Sequence, residues 1–328
     1  MGRLFVVCFF ILLCPTSIAQ DLYSTLDEVK KSLDSGSKVF AILPKRINEP
    51  FFDEVTKGCK SKAKELGVEC HALGFELESS RAQLQLFNDL IQSGIDGIAL
   101  SSAQDKKLAR LMSRSIDFVP VPFIAFDTPF ESTLVRSFVG TKNFAMGKAL
   151  GNYVKTLKPQ GGTVCIQYSR SDSVNHVKRL EGILSGLGLK DSPDKWEMVL
   201  GCPIEYQGDY DRAVRQLQRI LHSESPDVLL MTGGGAQFNE RAYRRAIEPY
   251  KEKVKHGSLI IGAIDTQALQ LDYINENLST VNVGQRPYQI GVEILSTLMI
   301  LHDGKNVPAT TYIPSTLCVI ENINSCLN

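Results

Sequence analysis

The sequence predicts an α/β protein built as two doubly wound parallel-sheet lobes joined by a multi-strand hinge. Three observations predict it. Short apolar runs alternate with helical stretches along most of the chain, the alternation restarts once after Val139, and the C-terminal stretch holds more elements than a second lobe needs. Strand–helix units at this spacing imply parallel sheets covered by helices on both faces, because each crossover returns the chain to the same strand direction.

Of the 328 residues, the first nineteen read as a secretory leader. Met1 to Ala19 carries one positive charge at Arg3, an apolar run from Leu4 to Leu13, a break at Pro15, and small residues Ser17 and Ala19 placed for cleavage. A run of about ten apolar residues falls short of the roughly 20 needed to span a bilayer. A lipid anchor at Cys14 is the competing reading, but Ile11-Leu12-Leu13 precede it in place of small residues. The expectation is a periplasmic or secreted protein after cleavage.

Asp21 to Ser37 reads as an amphipathic helix, an N-terminal extension, with Leu22, Leu26, Val29 and Leu33 on one face and Gly36 at its end. Lys38 to Leu43 is a strand buried on both sides, followed by a loop and the helix Phe51 to Leu66, stopped at Gly67. Strand Val68 to Leu73, helix Ser80 to Ser93, strand Gly97 to Leu100, helix Lys106 to Ser115 and strand Pro122 to Phe126 complete the first lobe. The second repeats the plan: helix Ala145 to Leu157, strand Thr163 to Gln167, helix Asn175 to Leu184, strand Glu197 to Leu200 and helix Tyr210 to His222. Strand Val228 to Met231, helix Asn239 to Tyr250 and strand Leu259 to Ile264 follow. A strand at Val281 to Val283, a long helix Tyr288 to His302 and short strands at Thr311 to Pro314 and Cys318 to Ile320 exceed what the second lobe requires. Some of them should return to the first lobe, leaving a cleft onto which both sets of strand carboxyl ends face.

Roughly 308 residues remain without the leader, enough for two lobes that each bury a core. The 36 Lys and Arg lose Arg3, leaving 35 against 36 Asp and Glu, a net charge of −1. Such balance gives no electrostatic footprint for nucleic acid or an anionic membrane. Cys8 and Cys14 leave with the leader, and the remaining six are even in number, as expected for disulfides in an oxidising compartment. Six cysteines allow 15 pairings. Nearness in sequence points to 59/70, 165/202 and 318/326. No C-x-x-C or H-x-x-x-H spacing appears, so neither zinc nor another metal is expected, and no cofactor motif is present.

This layout resembles the periplasmic sugar-binding proteins of the ribose and galactose type, which share the type I periplasmic binding protein fold with the regulatory domains of the lac repressor family. The local matches are I-N-E-P-F-F (Ile47 to Phe52), S-G-I-D-G-I-A-L (Ser93 to Leu100), F-I-A-F-D (Phe123 to Asp127), V-G-T-K-N-F-A-M-G (Val139 to Gly147) and R-L-E-G (Arg179 to Gly182). G-D-Y-D-R-A (Gly208 to Ala213), S-P-D-V-L-L (Ser225 to Leu230), I-G-A-I-D (Ile261 to Asp265) and G-Q-R-P-Y-Q-I-G (Gly284 to Gly291) continue them in order. The resemblance implies crossovers near Thr141 to Asn143, Gln285-Arg286 and Ser315. The lobes are then residues 38–141 plus 286–314 and 142–285 plus 315–328, closing on a ligand as a Venus-flytrap hinge.

Asp127 and Asp265 each end an apolar run, so both should sit at strand carboxyl ends facing the cleft. In the resembled receptors such aspartates accept hydrogen bonds from sugar hydroxyls; a helix cap is the plainer alternative. Phe51 and Phe52 in the first lobe and Tyr210 in the second are candidates to sandwich an apolar sugar face. Gln285 matches a hinge glutamine that contacts ligand, and Gly234 lies in Gly233-Gly234-Gly235, where the family has a ligand asparagine. Thr128 and Val177 stand where a ribose site has arginines, with Asn175, His176 and Arg179 nearby; these departures argue against ribose itself. Lys45 and Glu49 lie in the first binding loop. The run Ile42 to Lys45 is similar to the start of the autoinducer-2 receptor, whose corresponding lysine contacts ligand; Asp127 is shared with it, and Asn175 replaces an aspartate.

The expected function is a non-enzymatic, monomeric receptor for a monosaccharide or small polyol, working with a membrane ABC permease or with a sensor protein. No G-x-S-x-G elbow, Walker A loop or zinc-ligand pattern points to catalysis. A glycosidase built on the two aspartates is the enzymatic alternative.

Overall fold

The computed structural model describes residues 22–102, 104–129, 131–189 and 195–326; the predicted leader lies outside them. Two sheets, each wrapped by helices, form the architecture the sequence predicts.

Helix α1 (Leu26–Asp34) begins later than its apolar pattern because Thr25 caps it: the Thr25 side chain accepts from the Glu28 amide, and the Glu28 carboxylate accepts from the Thr25 N–H. Its Val29 is fully buried beside Val39 and Ala41 of β1, so the helix belongs to the first core. The chain continues through β1 (Val39–Leu43), α2 (Pro50–Leu66), β2 (Glu69–Ala72), α3 (Ser80–Gln92), β3 (Gly97–Leu100), α4 (Asp105–Ser115), β4 (Phe123–Phe126) and β5 (Phe138–Gly140). It then passes to α5 (Asn143–Leu157), β6 (Gly162–Tyr168), α6 (Val174–Leu187), β7 (Trp196–Met198), β8 (Ile204–Glu205), α7 (Tyr210–Ser223) and β9 (Val228–Met231). A 3₁₀ turn (Gly235–Phe238), α8 (Glu240–Ile247), α9 (Lys251–Lys255), β10 (Ile260–Ile264), α10 (Ala268–Asn275) and β11 (Val281–Gly284) follow. Helix α11 (Pro287–His302), β12 (Thr310–Tyr312) and β13 (Thr316–Cys318) complete the order before a last 3₁₀ turn, Ile320–Ser325.

The first sheet runs β12-β5-β4-β3-β1-β2, all parallel. The second runs β13-β11-β10-β9-β6-β7, with β8 also on β6 and β13 alone antiparallel. Both contain the same winding, 2-1-3-4-5 by position, whose switch points lie between β1 and β3 and between β6 and β9. Side chains alternate between two covered faces. Phe40, Ile42 and Phe126 meet α2 and α11 on one face of the first sheet, while Val39, Ala41, Leu43 and Phe123 meet α1, α3 and α4 on the other.

Four glycines set the spacing of α5 and α6. A side chain on Gly147 would run into the Arg179 carbonyl oxygen, one on Gly151 into that of Ile183, one on Gly182 into that of Phe144, and one on Gly186 into that of Lys148. The two helices therefore touch backbone to backbone, and the first turns of α6 are held rigidly at the carboxyl end of the second sheet. Helices α2 and α11 cross in the same way at Gly58 and Gly291.

Several elements differ from the sequence reading. Strands β5 and β8 have three and two residues and were not expected, nor was α10. The expected helix Asn239 to Tyr250 is broken by Pro249, which cannot donate to the helical ladder; α8 ends at Ile247 and a 3₁₀ turn carries the chain into α9. The last strand is Thr316–Cys318, not Cys318 to Ile320, because its pairing with β11 starts at Thr316 opposite Gly284. The chain crosses between the sheets after β5, after β11 and between β12 and β13.

The cysteines pair 59/70, 165/202 and 318/326. Thiol titration of unreduced, denatured mature protein is expected to find no reactive thiol; six would refute all three bonds.

Candidate functional site

A cavity of about 240 Å³ lies between the carboxyl ends of the two sheets. It falls just under the roughly 300 Å³ at which sites for drug-sized ligands begin, so it suits a small molecule. All eleven residues singled out in the sequence line it: Lys45, Glu49, Phe51, Phe52, Asp127, Thr128, Asn175, Tyr210, Gly234, Asp265 and Gln285. Each follows a strand end. The loop after β1 carries Lys45 and Glu49, α2 opens with Pro50 at its first turn and places Phe51 and Phe52, and α6 and α7 place Asn175 and Tyr210 on their first turns.

Asp127 and Asp265 are matched in backbone as well as position. Both have positive φ, 56° and 83°, a left-handed conformation that costs a non-glycine residue free energy and that Asp and Asn tolerate best. Neither caps a helix: α10 is capped by Gln267, and among the described residues the next element after Asp127 is β5.

Their surroundings differ. Asp127 is 5% exposed, and its Oδ2 accepts from Lys45 Nζ at 2.8 Å, Ser101 Oγ at 2.8 Å and Thr128 Oγ1 at 3.1 Å. Its Oδ1 accepts from Asn175 Nδ2 at 3.2 Å. Three of the four donors crowd Oδ2, and Oδ1 accepts one. Burial works to raise the Asp127 pKa, but the Lys45 charge and hydrogen bond, helped by Arg179 and Ser101, outweigh it and leave the carboxyl below the ordinary aspartate range. Burial works against the Lys45 charge too, and there Asp127 and Glu78 outweigh it, so its pKa is raised. Thr128 is equally occupied, accepting from Lys45 at 3.1 Å and Asn175 at 3.3 Å. Asp265, by contrast, accepts only from Gln285 Nε2, at 2.8 Å on Oδ1, and its backbone carbonyl is held by Asn282 Nδ2 at 2.8 Å. Its second oxygen accepts no hydrogen bond among the described residues, and the residue lines the cavity.

Hydrogen bonds cross the cleft at two places. Asn175 reaches Asp127 and Thr128, and Tyr210 OH donates to Glu49 Oε1 at 3.3 Å, an oxygen that also accepts from Arg46 at 2.7 Å. Phe52 packs inward, 3% exposed and edge-on to Phe126, while Phe51 stands edge-on to Phe52 at the cavity wall. On the opposite side Phe238 lies edge-on to Tyr210 at 5.4 Å. A side chain on Gly234 would overlap the Phe238 ring, so the glycine makes room for an aromatic wall.

Residues the sequence did not single out also line the cavity: Arg46, Glu78, Ser102, Tyr206 and Phe238. Ser102 Oγ is buried with no hydrogen-bond partner. Arg179 and His176, noted only as neighbours of Asn175, line it as well. Burial, then the charges of Arg179 and Lys45, hold the His176 pKa well below its usual value, so the ring is neutral at physiological pH. Phe238 carried a signal, an aromatic just beyond three glycines; a serine after an apolar strand carries none.

Two like lobes meet at a polar, aromatic-walled cleft between their facing strand ends, the architecture of a two-lobed binding protein. The periplasmic binding protein domain profile matches residues 40–306, and the chain belongs to that family. It is 22% identical over 296 residues to the ribose import binding protein RbsB of Bacillus subtilis, covering 88% of this chain and 90% of that protein. It is 29% identical over 151 residues to the D-allose-binding periplasmic protein of Escherichia coli, covering 44% of this chain and 49% of that one. Among solved structures it shares its fold with GanP, a glucose-galactose binding protein from Geobacillus stearothermophilus, at TM-score 0.76 and 19% identity over 87% of this chain and 98% of that one. A solute binding protein from Burkholderia graminis in complex with D-arabinose matches at TM-score 0.76 and 21% identity, over 88% and 98%. The resemblance read from the motifs is borne out at the level of the family. Among the described residues no helix is long and apolar enough to cross a membrane.

Proposed function

We propose that this protein is a non-enzymatic extracytoplasmic solute receptor that binds a monosaccharide or related small polyol in the cleft and delivers it to a membrane ABC importer. Residues 38–141 plus 286–314 and 142–285 plus 315–328 act as the two lobes, and the eleven cavity residues form the ligand site. The observation that carries this reading is the convergence of carboxylates, amides and aromatic rings from both sheets on one small cavity. Relatives described as ribose and allose binders support it. Hydroxyl-rich ligands need such buried acceptors, and a ligand lacking one hydroxyl leaves its partner unpaired.

A thermal-shift screen of refolded, ligand-stripped protein against pentoses, hexoses, polyols and autoinducer-2 tests it. One class should raise the melting temperature selectively, since a ligand at 100 times its Kd adds about 2.7 kcal/mol. A flat response throughout the panel would count against the receptor reading. Within it, Asp265→Asn keeps the left-handed backbone but removes the charge of the open acceptor. Binding should weaken at least tenfold, the worth of about 1.5 kcal/mol for a hydrogen bond to a charged group, with the melting temperature of the empty protein unchanged. Equal loss of stability and binding would make Asp265 a structural residue.

A signal receptor acting on a sensor kinase or chemoreceptor is the second reading. It is favoured by Lys45 standing 2.8 Å from Asp127, since both positions match the autoinducer-2 receptor.

A further inference from the structure

Arg179 is 4% exposed, and among the described residues no carboxylate lies within 4.0 Å of its guanidinium. Its Nε donates to Asn143 Oδ1 at 2.7 Å and its Nη1 to the Thr232 carbonyl at 3.2 Å, both neutral acceptors. Lys45 stands near enough that both cations act on His176, and Asp127 is acted on by both in turn. Two buried cations thus share one carboxylate, with the histidine between them neutral. Among the other cavity carboxylates, Glu49 is paired with Arg46 at 2.7 Å and Asp172 with Arg170 at 2.7 Å. Glu78 also acts on Lys45, but its nearest cation is Arg46 at 4.0 Å and burial raises its pKa. Asp265 stands at the end of β10, in the same lobe as Arg179 but more than 4.0 Å from its guanidinium.

A buried cation without a counter-ion is costly, and Arg179 has no carboxylate within 4.0 Å among the described residues. Hydrogen-bond inventory points the same way. Asp127 Oδ2 and Thr128 have no acceptor position left for a ligand hydroxyl and Asp127 Oδ1 already accepts from Asn175, whereas Lys45 Nζ has spent two of its three N–H bonds and the buried Ser102 hydroxyl has spent none. Lys45 and Ser102 from the first lobe and Arg179 from the second therefore offer donors and positive charge, and Asp265 lines the same cavity as an acceptor.

We propose that the ligand is a sugar acid, its carboxylate seated against Lys45, Ser102 and Arg179 and its hydroxyls donating to Asp265. This rests on the receptor reading above and narrows it. Asp127 is then a positioning residue, fixing Lys45 as its counter-ion.

Isothermal titration of ligand-stripped protein with matched pairs tests it: D-glucose with D-gluconate, D-galactose with D-galacturonate, D-ribose with D-ribonate. At least one acid should bind tenfold or more tighter than its neutral partner. Lys45→Met should cut that preference to threefold or less, while Lys45→Arg keeps it; circular dichroism checks that both variants fold. The wild-type comparison decides even if a variant does not fold. Neutral sugars binding as tightly as their acids, or an acid preference that survives Lys45→Met, would overturn the proposal and leave the sugar receptor standing. Binding of neither class would overturn both.

Discussion

Asp127→Asn is expected to lower the stability of the empty protein by about 3 kcal/mol, the low end for removing one partner of a buried ion pair. For lobes of this size that corresponds to a fall in melting temperature of roughly 6–12 °C. Asparagine keeps the left-handed backbone of this position, so the loss reports the charge and not backbone strain. Lys45, only 23% exposed, is left without its counter-ion, and Ser101, Thr128 and Asn175 keep a weaker acceptor. The effect has a pH signature. The folded-state pKa of Asp127 lies below the ordinary 3.8, so its contribution is complete above 3.8 and is lost as pH falls through the lower folded value. The difference in melting temperature between wild type and Asp127→Asn should therefore be constant near neutrality and shrink below pH 3.8. A difference that stays the same down to pH 3 would show that the pair does not stabilise the fold through this charge.

Gly182→Ala is expected to destabilise by about 3 kcal/mol, at the upper end for forcing a methyl group into a filled space. Helix propensity argues the other way, favouring alanine over glycine by about 1 kcal/mol in a helix interior. Packing wins here because the new methyl meets the backbone of Phe144 and Lys148, which cannot turn aside as a side chain would. To accommodate it α6 must move off α5, and the first turns of α6 carry Asn175, His176 and Arg179. Ligand binding should weaken along with stability, whereas alanine at the exposed neighbour Glu181 should alter neither. Calorimetry and titration on the two variants settle it: a stabilised Gly182→Ala would mean that the helices have room to spare.

The alternation of strands and helices was legible because parallel strands covered on both faces are continuous apolar runs, as in Val39–Leu43 and Val228–Met231. Helix α10 was not, because its buried face includes Gln270, which is fully buried and donates to Gln237 at 2.8 Å. A pattern search reads that glutamine as solvent-facing. Strand β13 slipped by two residues because it is a short antiparallel edge strand with only one buried residue, Cys318. The cavity residues were legible because strand ends point to the cleft. What was hidden is which of them have their valences already spent: that Asp127 Oδ2 is occupied depends on Lys45, 82 residues earlier, and that Arg179 has no carboxylate within 4.0 Å among the described residues depends on where the acidic residues come to rest.

The three crossings carry a consequence for the order in which the molecule is assembled. Helix α11 and the segment just after β12 supply Ile290, Ile294, Leu295, Leu298 and Ile313 to the core that Phe40 and Ile42 begin. The first lobe to be synthesised is therefore the last to be completed: its hydrophobic interior stays open until the chain has been made almost to its end. The second lobe lacks only β13, an edge strand, and the last 3₁₀ turn at that stage. Domains ordinarily fold from the N-terminus during synthesis, and here that order is reversed, so a chain stopped short of residue 287 would leave the earlier half without one wall and the later half nearly whole.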